Sequence, residues 1–325
     1  MNALPTLSRR RLVATGLSAA AAVASSAVVL PAWAQNTAPR VLRVGHQKGW
    51  LSLLKARGTL EKRLAPLGAS VSWVEFNAGP VQLEALNVGS IDYGDVGEAP
   101  PIFAQAAGAR LAYAAATVPR PAVEAVVVPA QSAIRSVADL KGKRVAFNKG
   151  SNVHFFLVKL LEKHGLKYAD VQPVFLAPPD ARAAFERGSI DAWVIWDPFL
   201  ASAEKSLGAR VLVDATGVVN NRAYYFTSSD FAQKQPDLLK IAVEETTRID
   251  RWIGDNKDAA AAELAQVLGL DRSVTAHFIQ RVGYGTVPVT PDILAEQQAI
   301  ADTFFELKVI PRKLTIPASS AIALA

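Results

Sequence analysis

The chain contains an internal repeat, and this feature constrains its fold more than any other. Residues 76–92 read FNAGPVQLEALNVGSID and residues 175–191 read FLAPPDARAAFERGSID, and the two stretches align without a gap. Eight of the seventeen positions are identical, including the Gly-Ser-Ile-Asp that ends each copy. Upstream, residues 43–49 (RVGHQKG) correspond to residues 144–150 (RVAFNKG). A repeat of roughly one hundred residues has the size of a domain, so it predicts two lobes of similar fold.

Each copy of the repeat has the same predicted order of elements. A short strand and a Lys-Gly turn lead into a helix, a second strand, a second helix and a third strand that ends at an acid and a proline. The two acids are Glu98 and Asp197. The helices are predicted to end near glycines, namely Gly68, Gly89, Gly165 and Gly188. Strands that alternate with helices at these lengths predict a doubly wound α/β fold, built twice.

The division between the lobes is predicted from the segments that follow each copy. Residues 123–128 and 222–227 read as strands that cross between the lobes, and the helical spacing after residue 238 contains no third copy of the repeat. We therefore predict that residues 35–123 and 223–325 form lobe 1 and that residues 124–222 form lobe 2. The tail would return to lobe 1, giving two crossovers and a hinge.

The first 34 residues have the pattern of an export signal. Arg9, Arg10 and Arg11 precede an apolar stretch over residues 12–30, and Ala32-Trp33-Ala34 offers a cleavage site. The arginines also resemble a twin-arginine signal, and the sequence leaves that route and the general secretory route both open. An uncleaved membrane anchor is the alternative. We predict a cleaved signal and a periplasmic protein.

Composition narrows the function classes. Cysteine is absent, which excludes disulfides and a lipid-modified cysteine. The formal charge of +6 includes the three signal arginines and falls to +3 without them. The basic residues form no run, so nucleic-acid binding is not expected, and slight positive charge is compatible with an anionic ligand.

The repeat also predicts where a ligand would bind. In doubly wound sheets, ligands bind beyond the carboxyl ends of the strands. The equivalent loops are residues 47–52, 97–101, 148–154 and 196–199. In the third loop, Ser151 and Asn152 have the chemistry to donate hydrogen bonds to an anion, or simply to cap a helix. His154 follows them, either as a ligand contact or as a packed side chain.

Aromatic and acidic residues at the other loops complete the candidate site. Strand alternation places Trp193 and Trp196 on opposite faces, and we assign Trp196 to the cleft. Glu98 and Asp197 are predicted to hold loops rather than to form a catalytic acid-base pair. No histidine or acid cluster has metal-ligand spacing, and neither a nucleophile elbow nor a phosphate loop occurs. We predict neither a metal nor a cofactor.

Several segments resemble the aliphatic sulfonate-binding proteins of ABC importers. These are residues 45–49 (GHQKG), 86–92 (LNVGSID), 97–104 (GEAPPIFA), 136–143 (SVADLKGK), 191–198 (DAWVIWDP) and 301–304 (ADTF). The resemblance implies a periplasmic binding protein-like fold with two hinge-linked lobes and no catalysis. It further implies capture of an alkanesulfonate and its delivery to an ABC permease with its ATPase. We expect a monomer.

The resemblance also implies a set of cleft residues, and our predicted ligand-binding set is Gln47, Trp50, Gly97, Glu98, Gly150, Ser151, Asn152, His154, Trp196 and Asp197. Ser151 and Asn152 would bind the anionic head, with Trp196 and Trp50 against the organic tail. Relatives of this fold also bind taurine, nitrate, thiamine precursors or aromatic sulfonates. These ligands and sulfate esters stay open, as does a non-cysteine enzyme of the same fold. The related desulfinases use a cysteine nucleophile, which this chain lacks.

Overall fold

The computed structural model describes residues 40–323, and the predicted signal over residues 1–34 lies outside them. The described residues form eleven β-strands. In chain order these are β1 Arg40–His46, β2 Ala69–Glu75, β3 Tyr93–Gly97, β4 Leu111–Thr117, β5 Glu124–Val128, β6 Arg144–Phe147, β7 Gln172–Phe175, β8 Ala192–Trp196, β9 Arg210–Asp214, β10 Ala223–Ser228 and β11 Thr286–Val287.

The same range contains twelve α-helices. These are α1 Trp50–Arg57, α2 Thr59–Leu64, α3 Gly79–Asn87, α4 Pro100–Ala106, α5 Asn152–Lys163, α6 Pro178–Glu186, α7 Phe199–Ser206, α8 Ser229–Lys234, α9 Pro236–Asp255, α10 Lys257–Leu268, α11 Arg272–Arg281 and α12 Pro291–Glu306. No helix within residues 40–323 has both the length and the apolar character needed to span a membrane.

The strands form two sheets with equivalent topology. The first has the order β2-β1-β3-β10-β4-β11, and the second has the order β7-β6-β8-β5-β9. In each sheet the first three strands are parallel and come from one copy of the repeat. The next strand, β10 or β5, is antiparallel to its neighbours. The predicted α/β fold with two lobes is confirmed, although both sheets are mixed rather than wholly parallel.

One pair of interactions explains why the repeat retains an arginine and an aspartate. The backbone N–H of Arg43 donates to Asp92 Oδ2 at 2.9 Å, and that of Arg144 donates to Asp191 Oδ2 at 2.8 Å. Both arginine side chains also pair with the same aspartate. In each lobe, therefore, the Asp of Gly-Ser-Ile-Asp fixes the loop before the third strand to the start of the first strand.

Two segments connect the sheets, residues 118–123 between β4 and β5 and residues 215–222 between β9 and β10. The tail packs on the first sheet, because Leu239, Ile249 and Ile253 of α9 share a hydrophobic core with Leu42 and Val44 of β1. The second sheet has cores on both faces, as expected for parallel strands that helices cover.

The structure corrects one predicted helix. The sequence pattern predicts a single helix that ends near Gly68, but the chain breaks at Gly58 into α1 and α2. Gly58 has a φ of 61°, a left-handed conformation that glycine adopts without a steric penalty. Gly58 therefore ends α1 and redirects the chain into α2.

Candidate ligand-binding cleft

A cavity of about 130 Å³ lies between the two sheets, at the carboxyl ends of their parallel strands. All four loops predicted from the repeat contribute to its wall. The lining residues are Gln47, Lys48, Gly49, Trp50, Gly79, Asp95, Val96, Gly97, Pro100, Arg120, Val123, Asn152, Trp196, Asp197, Asn221, Arg222, Ala223, Tyr225, Phe278 and Val282. Both lobes and both connecting segments therefore meet at one site.

Six of the ten predicted site residues line this cavity: Gln47, Trp50, Gly97, Asn152, Trp196 and Asp197. Gly97 allows the close approach of Asn152 from the second lobe. A Cβ atom at position 97 would lie 2.9 Å from the Asn152 side chain, which is too close for any residue but glycine. The strand end therefore admits a polar side chain from the other lobe only because residue 97 has none.

Arg120 is the main cavity residue that our sequence reasoning missed. Its side chain is buried, and Nη2 donates to Asp250 Oδ1 at 2.6 Å. Its Nε is buried and has no hydrogen-bond partner among the described residues. The guanidinium also lies 6.0 Å from the centroid of the Trp50 ring. The structure thus presents a rigidly held cation with an unused donor at the cavity wall.

A signal for Arg120 does exist in the sequence. It stands between two prolines, Pro119 and Pro121, immediately before the predicted crossing strand. A lone arginine has no motif, however, and its partner Asp250 lies 130 residues away. Only the fold brings the pair together.

Asn152 is positioned by a hydrogen-bond network at the connecting segments. Its Nδ2 donates to Glu124 Oε2 at 2.5 Å and to Asn221 Oδ1 at 3.3 Å. Asn221 in turn donates from Nδ2 to the carbonyl oxygen of Arg120 at 3.1 Å. The network links lobe 2 to both segments that cross between the lobes.

Glu98 lies behind the cavity wall rather than in it. It is buried, and Oε2 accepts a hydrogen bond from the Arg222 N–H at 3.3 Å. Burial raises the pKa of Glu98 to about 8, and burial together with the nearby Glu98 raises the pKa of Glu124 well above its usual range. This arrangement agrees with a loop-holding role and gives Glu98 no direct access to the cavity.

Asp197 connects the two sides of the cleft. Its Oδ1 accepts the N–H of Ala201 at 2.9 Å, and its Oδ2 lies 3.2 Å from Nε of Arg281, which is on α11. Burial raises the pKa of Asp197 to about 7, and Arg281 partly opposes this shift. Arg281 also pairs with Glu204 of α7, so a cluster of charges holds lobe 2 against α11.

Gly150, Ser151 and His154 do not line the cavity, which differs from the predicted ligand contact. Ser151 Oγ donates to the Asn148 carbonyl at 2.7 Å, and the Gly150 N–H donates to His154 Nδ1 at 3.3 Å. The His154 ring is 1 % exposed and lies among aromatic rings, 4.9 Å from Phe147 and 5.1 Å from Phe304. Burial lowers the pKa of His154 to about 4, so the ring is neutral at neutral pH. Internal hydrogen bonding and packing thus occupy the Gly150 N–H, the Ser151 hydroxyl and the His154 ring.

Two tryptophans supply apolar walls. Trp50 stacks on Phe278, with centroids 5.1 Å apart, and Trp196 meets Phe199 edge to face at 6.2 Å. Trp193 is buried in the core of lobe 2 against Phe185 and is absent from the lining. The two cavity tryptophans, one from each lobe, are suited to enclose an organic group.

The charged residues of the lining favour an anion. Among the lining residues, Lys48, Arg120 and Arg222 are basic and Asp95 and Asp197 are acidic, and Arg120 also pairs with Asp250 behind the cavity wall. Within residues 40–323, no cluster of histidine and acidic side chains is suited to hold a metal ion. The arrangement offers hydrogen-bond donors, positive charge and aromatic surface to a small organic anion.

A larger groove of about 620 Å³ lies elsewhere, between β4, β11 and α9. All its lining residues belong to the side of the first sheet, and the last described residues form one of its edges. It contains none of the repeat-derived loops, so the cavity between the sheets is the better candidate for ligand capture.

A fold of two α/β sheets joined by two connections, with a cavity between them, defines the class of two-lobed binding proteins. The family model described as NMT1/THI5 like matches residues 69–253. A putative aliphatic sulfonates-binding protein of Escherichia coli (strain K12) is 40 % identical over 310 residues, which cover 94 % of this chain and 95 % of that protein. The chain therefore belongs to the NMT1/THI5-like family, among its aliphatic sulfonate-binding proteins.

Solved structures agree with this assignment. The alkanesulfonate-binding protein SsuA from Xanthomonas axonopodis pv. citri, bound to MOPS, superimposes with a TM-score of 0.82 at 38 % identity, covering 87 % of this chain and 98 % of that chain. The periplasmic aliphatic sulphonate-binding protein SsuA from Escherichia coli gives a TM-score of 0.78 at 41 % identity, and the superposition covers 88 % of this chain and 92 % of that chain. The resemblance found in the sequence motifs is confirmed.

Proposed function

We propose that the chain captures aliphatic sulfonates in the periplasm and delivers them to an ABC permease with its ATPase. The observation that carries the proposal is Arg120, a buried guanidinium with an unused Nε donor, at a cavity walled by one tryptophan from each lobe. A sulfonate head has three acceptor oxygens and one negative charge, and its tail is apolar. Arg120 Nε and Asn152 Nδ2 would bind the head, and Asn152 would do so by exchanging its 3.3 Å hydrogen bond to Asn221 Oδ1 for one to the sulfonate. Trp50 and Trp196 would enclose the tail.

The working cycle follows from the two connections between the sheets. An open form admits the anion, and closure about residues 118–123 and 215–222 removes water from it. Fixed donors then replace the hydration shell, in a setting where electrostatic interactions are stronger than in water. We assign residues 35–123 and 223–325 to lobe 1 and residues 124–222 to lobe 2, and we expect the monomer to dock on the permease when closed.

The assignment of Asn152 to the sulfonate head is tested by variants at two neighbouring residues, of which only one lines the cavity. Asn152→Ala removes a cavity side chain, whereas Ser151→Ala removes a hydroxyl that bonds only to the Asn148 carbonyl among the described residues. Calorimetric titration with ethanesulfonate should show a loss of roughly tenfold or more for the first variant and little change for the second, since a hydrogen bond to a charged group contributes roughly 1.5–3 kcal/mol. Equal affinities in both variants would place the head elsewhere.

The tail assignment is tested by changing the ligand as well as the protein. Trp196→Ala should weaken the binding of butanesulfonate more than that of methanesulfonate, because only the longer ligand buries methylenes against the ring. The short ligand serves as the matched control within each protein. A thermal-shift panel that adds taurine, nitrate, aromatic sulfonates and sulfate esters would rank the alternative anions, since a ligand that binds only the native state raises the melting temperature.

A further inference from the structure

Arg120 faces two carboxylates, and they differ in how they are satisfied. Asp250 is fully buried and accepts three hydrogen bonds, from Arg120 Nη2 at 2.6 Å, from the Gly285 N–H at 2.8 Å and from Thr286 Oγ1 at 3.2 Å. These three donors satisfy both oxygens of the buried Asp250 carboxylate. Asp250 therefore already neutralises the charge of Arg120 before any ligand enters.

Asp95 is the second carboxylate, and it is the one that lines the cavity. Its Oδ1 is buried and has no hydrogen-bond partner among the described residues. Gln47, the nearest amide from the loop after β1, directs Nε2 to the backbone oxygen of Asp95 at 3.5 Å rather than to the carboxylate. An unsatisfied carboxylate oxygen in a cavity wall is costly unless a ligand or a proton satisfies it.

We propose that Asp95 is a ligand-binding residue that takes up one proton when the anion enters, and that its Oδ1–H then donates a hydrogen bond to the anion. The inference rests on the proposed function, since it concerns a sulfonate beside Arg120. It assigns a hydrogen-bond donor that neither the sequence motifs nor the repeat predicted.

The charges around the site support this assignment. A sulfonate beside Arg120 would place three anions around one guanidinium in a closed cleft, where charges are poorly screened. A sulfonate is too weak a base to accept the proton, and both carboxylate oxygens of Asp250 already accept hydrogen bonds. Asp95 forms no ion pair within residues 40–323, so its protonation removes an uncompensated charge beside Arg120 and converts the unused acceptor into a donor.

The other charged and titratable groups near Asp95 do not replace it in this role. Burial raises the pKa of Tyr93, Tyr225 and Tyr284, so these phenols are neutral throughout the working range. Arg222 is paired with Glu296 at 2.9 Å. The remaining charged groups of the cavity are Lys48 and Asp197. Burial raises the pKa of Asp197 to about 7, but Asp197 differs from Asp95 in having a paired cation, since its Oδ2 lies 3.2 Å from Nε of Arg281.

The pKa of Asp95 is consistent with proton uptake near neutrality. Burial raises it to about 6, and Arg120 partly opposes the shift. An anion nearby raises the pKa further in the complex. Affinity should therefore be highest below pH 6 and fall by about tenfold per pH unit above it, until the pKa of the complex is reached.

The test is calorimetric titration of the mature chain with sodium ethanesulfonate from pH 5 to pH 8.5 at constant salt. At pH 7, titrations in citrate and in imidazole, neither of which is a sulfonate, give the number of protons taken up from the buffer. We expect the wild type to take up close to one proton per ligand bound. The fall of affinity with rising pH should be lost in Asp95→Asn. It should be kept in the control Glu306→Gln, which removes an exposed acid of the same lobe.

Each outcome decides between distinct conclusions. Asp95→Asn should bind more tightly than the wild type at pH 8, because the amide supplies a donor without needing a proton. The proposal would be overturned if the affinity of the wild type did not depend on pH. It would also be overturned if the pH dependence of affinity persisted in Asp95→Asn and disappeared in Asp197→Asn. Either result would leave sulfonate capture intact. Failure of the wild type to bind at any pH would instead contradict the proposed function, and this inference with it.

Discussion

At the scale of single residues, Arg120 has a structural contact with Asp250 and a proposed contact with the ligand, and two variants can separate them. Arg120→Met should lower the free energy of unfolding by about 3–5 kcal/mol, because it leaves Asp250 buried without its cation. Adding Asp250→Asn should recover much of this loss, since the buried charge is removed. Urea denaturation measures the recovery.

Recovery of stability should not restore binding. The double variant lacks the guanidinium that faces the cavity, so its affinity for ethanesulfonate should stay far below that of the wild type. If the double variant bound the ligand as tightly as the wild type, Arg120 would be a structural residue only.

His154 supplies a prediction about acid stability. Its pKa is about 4 in the folded protein against an ordinary value of 6.5, because burial disfavours the charged form. The stability contributed by the neutral ring is complete above pH 6.5 and is lost as the pH falls towards 4, by up to roughly 3 kcal/mol.

A variant without a titratable ring isolates this effect. His154→Phe should be less stable than the wild type at pH 7, because the bonds to Gly150 and Tyr168 are lost. The stability difference should narrow as the pH falls from 6.5 to 4. A difference that stays constant over this range would show that His154 does not carry the acid sensitivity.

At the scale of elements, the repeated Arg–Asp pairs form a natural matched experiment. The Asp92 side chain is 5 % exposed, whereas that of Asp191 is 32 % exposed. Asp92→Asn should cost about 1–3 kcal/mol because a buried charge-assisted bond is lost, and Asp191→Asn should cost less than about 1 kcal/mol because water screens the pair. Urea denaturation of the two variants compares them directly, and equal losses would contradict this account.

The repeat made the parallel half of each sheet predictable. The sequence pattern also predicted β5 and β10 as strands, but not their antiparallel pairing, and it did not predict β4. Strand β4 contains four alanines among its seven residues, and alanine has little preference for strands. Its burial between β10 and β11 determines its conformation. The break at Gly58 was not predicted, because apolar residues continue on both sides of Gly58 in the sequence.

The site was predictable to the level of loops but not of every side chain. The four loops follow from topology, because parallel strands end at the same edge of a sheet. Asn152 and His154 both lie in the first turn of α5, yet Asn152 lines the cavity and His154 packs among aromatic rings. Arg120 and Asp95 depend on contacts between segments far apart in the chain, which periodicity does not reveal.

At the scale of the whole molecule, the charge cluster across the cleft should set how long the closed form lasts. Arg281 pairs with Asp197 and Glu204, and His277 Nε2 lies 3.2 Å from Glu204. Glu204→Gln removes the charge that these two α11 residues share. It should weaken sulfonate affinity by a few-fold, mainly through faster release, because the closed form is less favoured.

A control for this variant lies in the same lobe. Glu186→Gln removes an acid whose partner, Arg182, is one turn away on the same helix. Stopped-flow release rates should rise in Glu204→Gln and stay unchanged in Glu186→Gln. Equal rates in the two variants would indicate that the cluster does not stabilise closure.

The most direct test of ligand capture between the lobes is a crystal structure of the mature chain grown with ethanesulfonate in a buffer that contains no sulfonate. We predict one sulfonate in the cavity, with its oxygens within hydrogen-bonding distance of Arg120 and Asn152 and its tail against Trp50 or Trp196. A sulfonate bound outside this cavity, or a cavity without ligand at saturating concentration, would contradict it.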